Sequence, residues 1–125
     1  MILLNYTHPL TPGQLGTIAE LASATPEVRD IAVQADRTRP LTEVACELAD
    51  AAGLAPVDWQ RVALIVNPPG LAPLALALIA EIHGRSGHFP AIVNIRPIVG
   101  SLPTQYEVQE IANLQVVRDH ARAQR

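Results

Sequence analysis

The chain has no lysine and one cysteine, and aromatic residues make up only 3% of its 125 residues. A single cysteine, Cys46, cannot form a disulfide within the chain, which is typical of a reducing compartment, and we expect a cytoplasmic protein. With so few aromatic residues, the core must consist of leucine, isoleucine, valine and alanine. Hydrophobic residues nevertheless reach 49%, which argues against disorder. The length predicts one domain over residues 1–125.

All nine basic residues are arginine, and the net charge is −3. A negative chain is not expected to bind long nucleic acid, which requires a basic surface. Arginine grips phosphate through two parallel hydrogen bonds, so a small anionic ligand is compatible with this composition. A GC-rich genome, which favours arginine over lysine, accounts for the same count without any function.

Several common site patterns are missing. The longest apolar run, from Leu71 to Ala80, is too short to span a bilayer, so we expect no membrane contact. No glycine-rich fingerprint follows the first predicted strand, which argues against a dinucleotide site or a P-loop. No nucleophile triad or carboxylate pair is evident. His83 and His88 have no supporting cysteine or carboxylate, so we expect no metal and no cofactor.

Four short apolar segments are the predicted β-strands. They are Ile2–Leu4, Ile31–Val33, Val62–Val66 and Ala91–Ile95. Strands that alternate with helices are joined by right-handed crossovers and lie parallel in one sheet. The sequence therefore predicts an α/β fold with a mostly parallel four-stranded sheet.

The segments after these strands have apolar residues at helical spacing. Thr11 and Gln14 form a capping-box pattern at the first helix, and Gly53 is a stop signal for the second. A similar pattern at Thr104 predicts a last helix. The predicted helices are Pro12 to Ala22, Leu41–Ala52, Pro56–Gln60, Pro73–His83 and about 104–122.

The helix predicted at Pro73–His83 is apolar on almost every side. A helix without a polar face is either fully enclosed or lies in a subunit interface. Full enclosure is difficult in a domain of this size, so we expect a homo-oligomer.

Two predicted strands end in an asparagine followed by a proline-containing loop. Asn5 precedes Tyr6-Thr7-His8-Pro9, and Asn67 precedes Pro68-Pro69-Gly70. Ligands of open parallel sheets bind at the carboxyl ends of strands, where the strand order changes direction. Arg96 follows the fourth predicted strand at the same edge, where it suits an anionic ligand. Both loops are equally explained as turns, and His8 as a cap of its own loop.

Arg85 belongs to the glycine-containing turn predicted after the Pro73–His83 helix. This turn leads into the fourth predicted strand, so it is expected at the opposite end of the sheet from the asparagines. In an assembly Arg85 could still reach the ligand of a neighbouring subunit, and the sequence leaves open whether it contacts the ligand of its own subunit or of a neighbour.

Six short motifs together resemble one family. They are Leu3–Thr11, Val66–Pro69, His83-Gly84-Arg85, Phe89-Pro90, Arg96-Pro97 and Asn113-Leu114-Gln115-x-x-Arg118. In this order they resemble the small ancillary proteins of type III CRISPR systems, the group numbered fifteen among the Csx proteins. The resemblance extends from Met1 to about Asp119.

The resemblance implies a Rossmann-like, three-layer fold related to the sensor domains that bind cyclic oligoadenylates. These rings are second messengers of type III antiviral signalling, and related small proteins cleave them as ring nucleases. Carried over by position, the residues expected to contact the ring are Asn5, Tyr6, Thr7, His8, Asn67, Pro68, Arg85 and Arg96.

Three functions are open at this point. A sponge would bind cyclic tetra-adenylate and sequester it intact, and a metal-independent ring nuclease would cleave it. The nuclease needs a group that aligns and activates a ribose hydroxyl, and His8 is the one evident base. We therefore expect a sponge, with no catalytic residue. A nucleotide-independent assembly scaffold is the third possibility.

Overall fold

A five-stranded mixed sheet forms the centre of the molecule, in a computed structural model that describes residues 1–34 and 36–125. Its strands are β1 (Ile2–Asn5), β2 (Glu27–Asp30), β3 (Leu64–Asn67), β4 (Ala91–Pro97) and β5 (Tyr106–Asn113). Their order across the sheet is β2-β1-β3-β4-β5. The first four are parallel, and β5 is antiparallel to β4. The predicted α/β class with a mostly parallel sheet is confirmed.

Helices pack on both faces of this sheet. They are α1 (Pro12–Ala22), α2 (Leu41–Asp50), α3 (Pro56–Arg61), α4 (Ala72–Ser86) and α5 (Leu114–Arg122). Helix α1 lies on one face, and α2, α3 and α4 pack together on the other. None of the helices in the described part of the chain is both long enough and apolar enough to cross a membrane.

Two apolar clusters form the core because successive strand residues point to opposite faces. Leu3 and Ile65 pack toward Ile18 of α1, whereas Leu4 and Val66 belong to the cluster on the other face. Every residue of β1 and β3 is buried, as expected for strands covered on both sides. Trp59 of the short helix α3 is buried in the second cluster.

The start of α1 has the predicted capping box. Thr11 Oγ1 accepts a hydrogen bond from the Gln14 amide at 3.1 Å, and Gln14 Oε1 accepts one from the Thr11 amide at 2.9 Å. Pro12 follows at the first helical position, where its missing N–H is not needed. This box fixes the end of α1 that lies beside the carboxyl edge of the sheet.

The second strand was predicted at Ile31–Val33, but β2 covers Glu27–Asp30. Because β2 is an edge strand, it accommodates charged residues such as Glu27 and Arg29. Ile31 still fills the core, and its amide bonds to the Asn5 carbonyl at 2.8 Å. The apolar segment Ile31–Val33 therefore directly follows the strand and is not the strand itself.

The helix predicted to end at Gly84 continues through it. Helix α4 ends at Ser86, and Gly87 adopts the left-handed conformation with φ of 84°. Its amide donates to the His83 carbonyl at 2.8 Å, which closes the last turn. Gly87, and not Gly84, therefore ends helix α4.

The long last helix predicted over about 104–122 is wrong in its first half. Residues Tyr106–Asn113 form β5, and only Leu114–Arg122 are helical. Strand β5 pairs along the whole of β4, so the sheet has five strands rather than four. Thr104 lies in the connection of this hairpin, and Asn113 caps the helix by accepting from the Gln115 amide.

Candidate functional site

The carboxyl ends of β1 and β3 meet where the strand order changes direction. From β1 the chain first adds β2 on one side and then returns to place β3 on the other. Asn5 and Asn67 are direct partners in the register of these two strands. The prediction that both asparagines lie at one switch point is confirmed.

Asn5 is fully buried and uses its whole side-chain amide within the protein. Its Nδ2 donates to the His8 carbonyl at 3.0 Å and to Asp30 Oδ1 at 2.7 Å. Its Oδ1 accepts from the Thr7 amide at 3.3 Å and from Asn67 Nδ2 at 2.9 Å. Two donors and two acceptor positions are the full capacity of this group. Asn5 therefore holds the loop and Asn67 in place and has no capacity left for a ligand.

Asn67 is the last polar group of this chain of hydrogen bonds. It is 4% exposed and lies at the end of β3. Its Nδ2 bonds to Asn5, and among the described residues no group bonds to its Oδ1. Asp30, Asn5 and Asn67 are each the last residue of their strand. These side-chain hydrogen bonds thus connect the ends of three neighbouring strands, and the last atom in the series, Asn67 Oδ1, has no partner among the described residues.

A cleft of about 500 Å³ lies at this edge. It is lined by residues 7–11, Gln14, Asn67-Pro68, residues 93–95 and Tyr106. Four predicted contact residues, Thr7, His8, Asn67 and Pro68, therefore lie together. The lining contains no aspartate, glutamate or arginine, and His8 is exposed at its rim. A cleft with this lining suits a neutral, planar group better than a bare phosphate.

Arg96 lies near the cleft but is not part of its lining. Its Nε donates to Glu107 Oε1 at 3.1 Å across β4 and β5. Its neighbour Ile95 packs in the cluster on the α1 face, so the Arg96 side chain leaves the strand on the other face. Because this pair is exposed, it contributes little stability and can exchange partners.

Tyr6 was predicted to contact the ring, but its side chain is in the core. The hydroxyl donates to the Leu48 carbonyl at 3.1 Å, and the ring is buried. Burial raises the pKa of this phenol well above its ordinary value, with Arg85 opposing the shift weakly. The structure does not bring Tyr6 to the cleft.

Arg85 is also remote from the cleft, as its predicted position implies. Its guanidinium bonds to Asp50 and Glu81, each at 2.9 Å, and stacks 5.6 Å from the Trp59 ring. Burial by itself lowers the pKa of Arg85, but the hydrogen bonds to Glu81 and Asp50 outweigh it and raise the pKa. Arg85 fastens α4 to α2 and α3.

Three residues that were not predicted as ligand contacts also line the cleft, namely Gln14, Asn94 and Tyr106. Tyr106 is 55% exposed, and its backbone carbonyl accepts from Gln14 Nε2 at 3.1 Å. Val108 and Ile111 are residue types that favour a strand, but their spacing of three is typical of a helix, so the sequence carries only a weak signal for the strand that contains Tyr106.

A second cavity, of about 420 Å³, lies on the face of α2 and α4. Arg37, Arg39, Leu41 and Leu74 are among its lining residues. Arg39 is paired with Glu47 and with Glu43, so its charge is already balanced within the chain. None of the predicted contact residues lines this cavity.

No protein-family model, curated protein or solved structure matches this chain. Its function is therefore inferred from the cleft at the switch point and from the resemblance of the six motifs.

Proposed function

We propose that this protein binds a cyclic oligoadenylate, cyclic tetra-adenylate, and sequesters it intact in the cytoplasm, so that type III CRISPR signalling is damped. The observation that supports this most is the cleft at the switch point, where Thr7, His8 and Asn67 converge without any carboxylate. We further propose that the fold is Rossmann-like, with the strand order around β1 and β3 as its support.

The distribution of charge is compatible with such a ligand. The neutral lining of the cleft accommodates nucleoside groups, and the phosphates would face its rim near His8. The Arg96 side chain leaves β4 on the other face of the sheet, so it would contact a phosphate that lies outside the cleft. Arg96 is available because its pair with Glu107 is exposed. An arginine released from this pair offers two parallel hydrogen bonds to a phosphate.

The size of the cleft argues for more than one subunit per ligand. Its volume of about 500 Å³ falls within the range of about 300–1,000 Å³ for small-molecule sites. A ring of four nucleotides is larger than one such site, whereas symmetric copies of one edge can enclose a symmetric ring. Helix α4, with Leu76 73% exposed, is an apolar surface for that homo-oligomer.

Sequestration is favoured over cleavage because the cleft is poor in proton-transfer groups. A ring nuclease would align a ribose 2′-hydroxyl with the neighbouring phosphorus and remove its proton. Among the lining residues His8 is the one evident base, and the lining includes no carboxylate to orient it. Cleavage by a His8-dependent nuclease is the second candidate function.

The test is to incubate the purified protein with cyclic tetra-adenylate in excess chelator and to follow both by size-exclusion and reversed-phase chromatography. Intact ligand that elutes with the protein supports sequestration. Linear fragments formed over many turnovers, and lost in His8→Ala, would establish the nuclease instead. If the protein neither retains nor cleaves this ring, sequestration and cleavage of cyclic tetra-adenylate both fail. A scaffold would in addition show no response to adenylate rings of other sizes.

The position of the site is tested with two matched variants. Arg96→Ala should weaken binding, whereas Arg118→Ala, which removes another exposed arginine, paired with Asp119 on α5, should not. Equal affinities of Arg96→Ala and the unmodified protein would show that Arg96 does not contact the phosphates.

A further inference from the structure

We propose that the cleft is a base-recognition site, in which the Tyr106 ring stacks on one adenine and Asn67 Oδ1 accepts a hydrogen bond from its exocyclic amino group. This inference rests on the proposed function and specifies which part of the ligand enters the cleft.

The orientation of the Asn67 amide follows from backbone groups. The His8 carbonyl can only accept and the Thr7 amide can only donate, so they fix which end of the Asn5 amide is nitrogen and which is oxygen. Asn5 Oδ1 then requires a donor from Asn67, which is its Nδ2 at 2.9 Å. Asn67 Oδ1 is consequently the end of the amide that does not face Asn5, and Asn67 lines the cleft.

Asn67 Oδ1 is a hydrogen-bond acceptor that the described protein groups do not use. Asn67 is 4% exposed, and in the described part of the chain nothing donates to Oδ1. No buried side-chain nitrogen or oxygen of the described residues lacks a partner, so this unpaired oxygen is open to solvent at the cleft. A ligand donor can replace the water there. Asn67 therefore offers the cleft an acceptor, which a ligand with an N–H donor can use.

Tyr106 supplies a planar surface at the same cleft. Tyr106 is 55% exposed although its side chain is largely apolar. The backbone at Tyr106 is fixed by pairing with β4 and by the bond from Gln14 Nε2 to its carbonyl. An exposed aromatic side chain on a fixed backbone beside a neutral cleft is a surface on which nucleobases stack.

The two groups together discriminate between purines. Adenine has an amino donor where guanine and hypoxanthine have a carbonyl acceptor. A carbonyl oxygen placed opposite Asn67 Oδ1 would be repelled, and Asn67 cannot rotate without breaking its bond to Asn5. The hydrogen bond to Asn67 Oδ1 therefore selects adenine, whereas stacking on Tyr106 does not distinguish one base from another.

The experiment measures the affinity of the full chain for cyclic tetra-adenylate and for the cyclic tetra-inosinate analogue by isothermal titration calorimetry. It compares the unmodified protein with Tyr106→Phe and Tyr106→Leu, which keep the apolar area but differ in the aromatic ring. Val117→Ala, an exposed position on α5, is the control.

We expect Tyr106→Leu to weaken binding of cyclic tetra-adenylate at least about tenfold, with Tyr106→Phe close to the unmodified protein. The inosinate ring should bind at least about tenfold more weakly, because one donor is lost and an acceptor faces Oδ1. The analogue leaves Asn67 unmodified, so this result does not depend on whether an Asn67 variant folds.

Tight binding of cyclic tetra-adenylate with no effect of Tyr106→Leu overturns the stacking assignment and leaves the proposed function standing. Equal affinity for the adenylate and inosinate rings overturns the hydrogen bond assigned to Asn67 Oδ1 and also leaves the proposed function standing. If the unmodified protein binds neither ring, the proposed function and this inference both fail.

Discussion

Asn5 differs from a ligand-binding asparagine because its amide has no position left to offer. Two of its four partners belong to its own loop, and two are the last residues of neighbouring strands. A substitution that removes the amino group tests whether this arrangement holds the edge together. Aspartate is nearly the same size and differs only in charge and in the lost donors.

We expect Asn5→Asp to lower the free energy of unfolding by about 3 kcal/mol or more, because a buried carboxylate would face Asp30 and the His8 carbonyl. Urea denaturation followed by circular dichroism measures the change. Asn113→Asp is the matched control, since either residue caps the start of α5 equally well. A similar small change in both variants would show that the Asn5 amide is not needed.

Arg85 is a second residue whose partners are all within the chain. Its contacts to Asp50, Glu81 and Trp59 join three helices on one face of the sheet. We expect Arg85→Ala to cost about 1–2 kcal/mol of stability and to leave the affinity for cyclic tetra-adenylate unchanged. Denaturation and calorimetry on the same preparation measure both. A large loss of affinity in a stable variant would show that Arg85 reaches the ligand of a neighbouring subunit.

At the scale of elements, the two glycines near the end of α4 have opposite roles. Gly84 lies inside the helix with open space where a Cβ would be, whereas Gly87 has φ of 84°. We expect Gly84→Ala to stabilise the protein by about 0.5–1 kcal/mol and Gly87→Ala to destabilise it by about 1 kcal/mol. Thermal denaturation of both variants measures this. The reverse order would mean that the helix ends at Gly84.

The elements that the sequence predicted well are those whose own residues specify them. The capping box at Thr11 satisfies local donors, and β1 and β3 are apolar because both faces are covered. Such features depend on neighbours in the sequence or on burial alone. They were enough to predict that Asn5 and Asn67 lie at one edge of the sheet.

Strand β5 could not be predicted in this way because a β-bulge interrupts its pattern. Asn94 pairs with Glu110 and Ile95 pairs with Val108, which leaves Gln109 as an extra residue. The core-facing residues are consequently Val108 and Ile111, three apart rather than two. This spacing is typical of a helix, and it concealed both the strand and Tyr106. The contribution of β5 to the cleft, through Tyr106, was therefore not predicted.

At the scale of the whole molecule, the absence of lysine simplifies the behaviour at high pH. No side-chain ammonium titrates in the range where tyrosine loses its proton near pH 10. Burial raises the pKa of Tyr6 in the folded chain above the unfolded value. Its contribution to stability is fully present below about pH 10 and is lost as the pH rises through the folded pKa.

We therefore expect the free energy of unfolding to fall above pH 10 by as much as about 1.4 kcal/mol per pH unit. In Tyr6→Phe this decline should be smaller, although the variant starts about 1 kcal/mol less stable at neutral pH because the bond to Leu48 is lost. Urea denaturation between pH 8 and pH 11 measures both slopes. Equal slopes would mean that water reaches the Tyr6 hydroxyl in the folded protein.

The two outer strands of the sheet have a consequence for how chains can join. Strand β2 is only four residues long and includes Glu27, Arg29 and Asp30, and β5 is bulged and includes Glu107 and Glu110. Short, charged or bulged edges oppose strand addition from another chain. Aggregation through a continuous sheet is disfavoured at both ends. If copies gather around a ligand as proposed, we expect them to meet through helices and loops rather than through a continuous sheet.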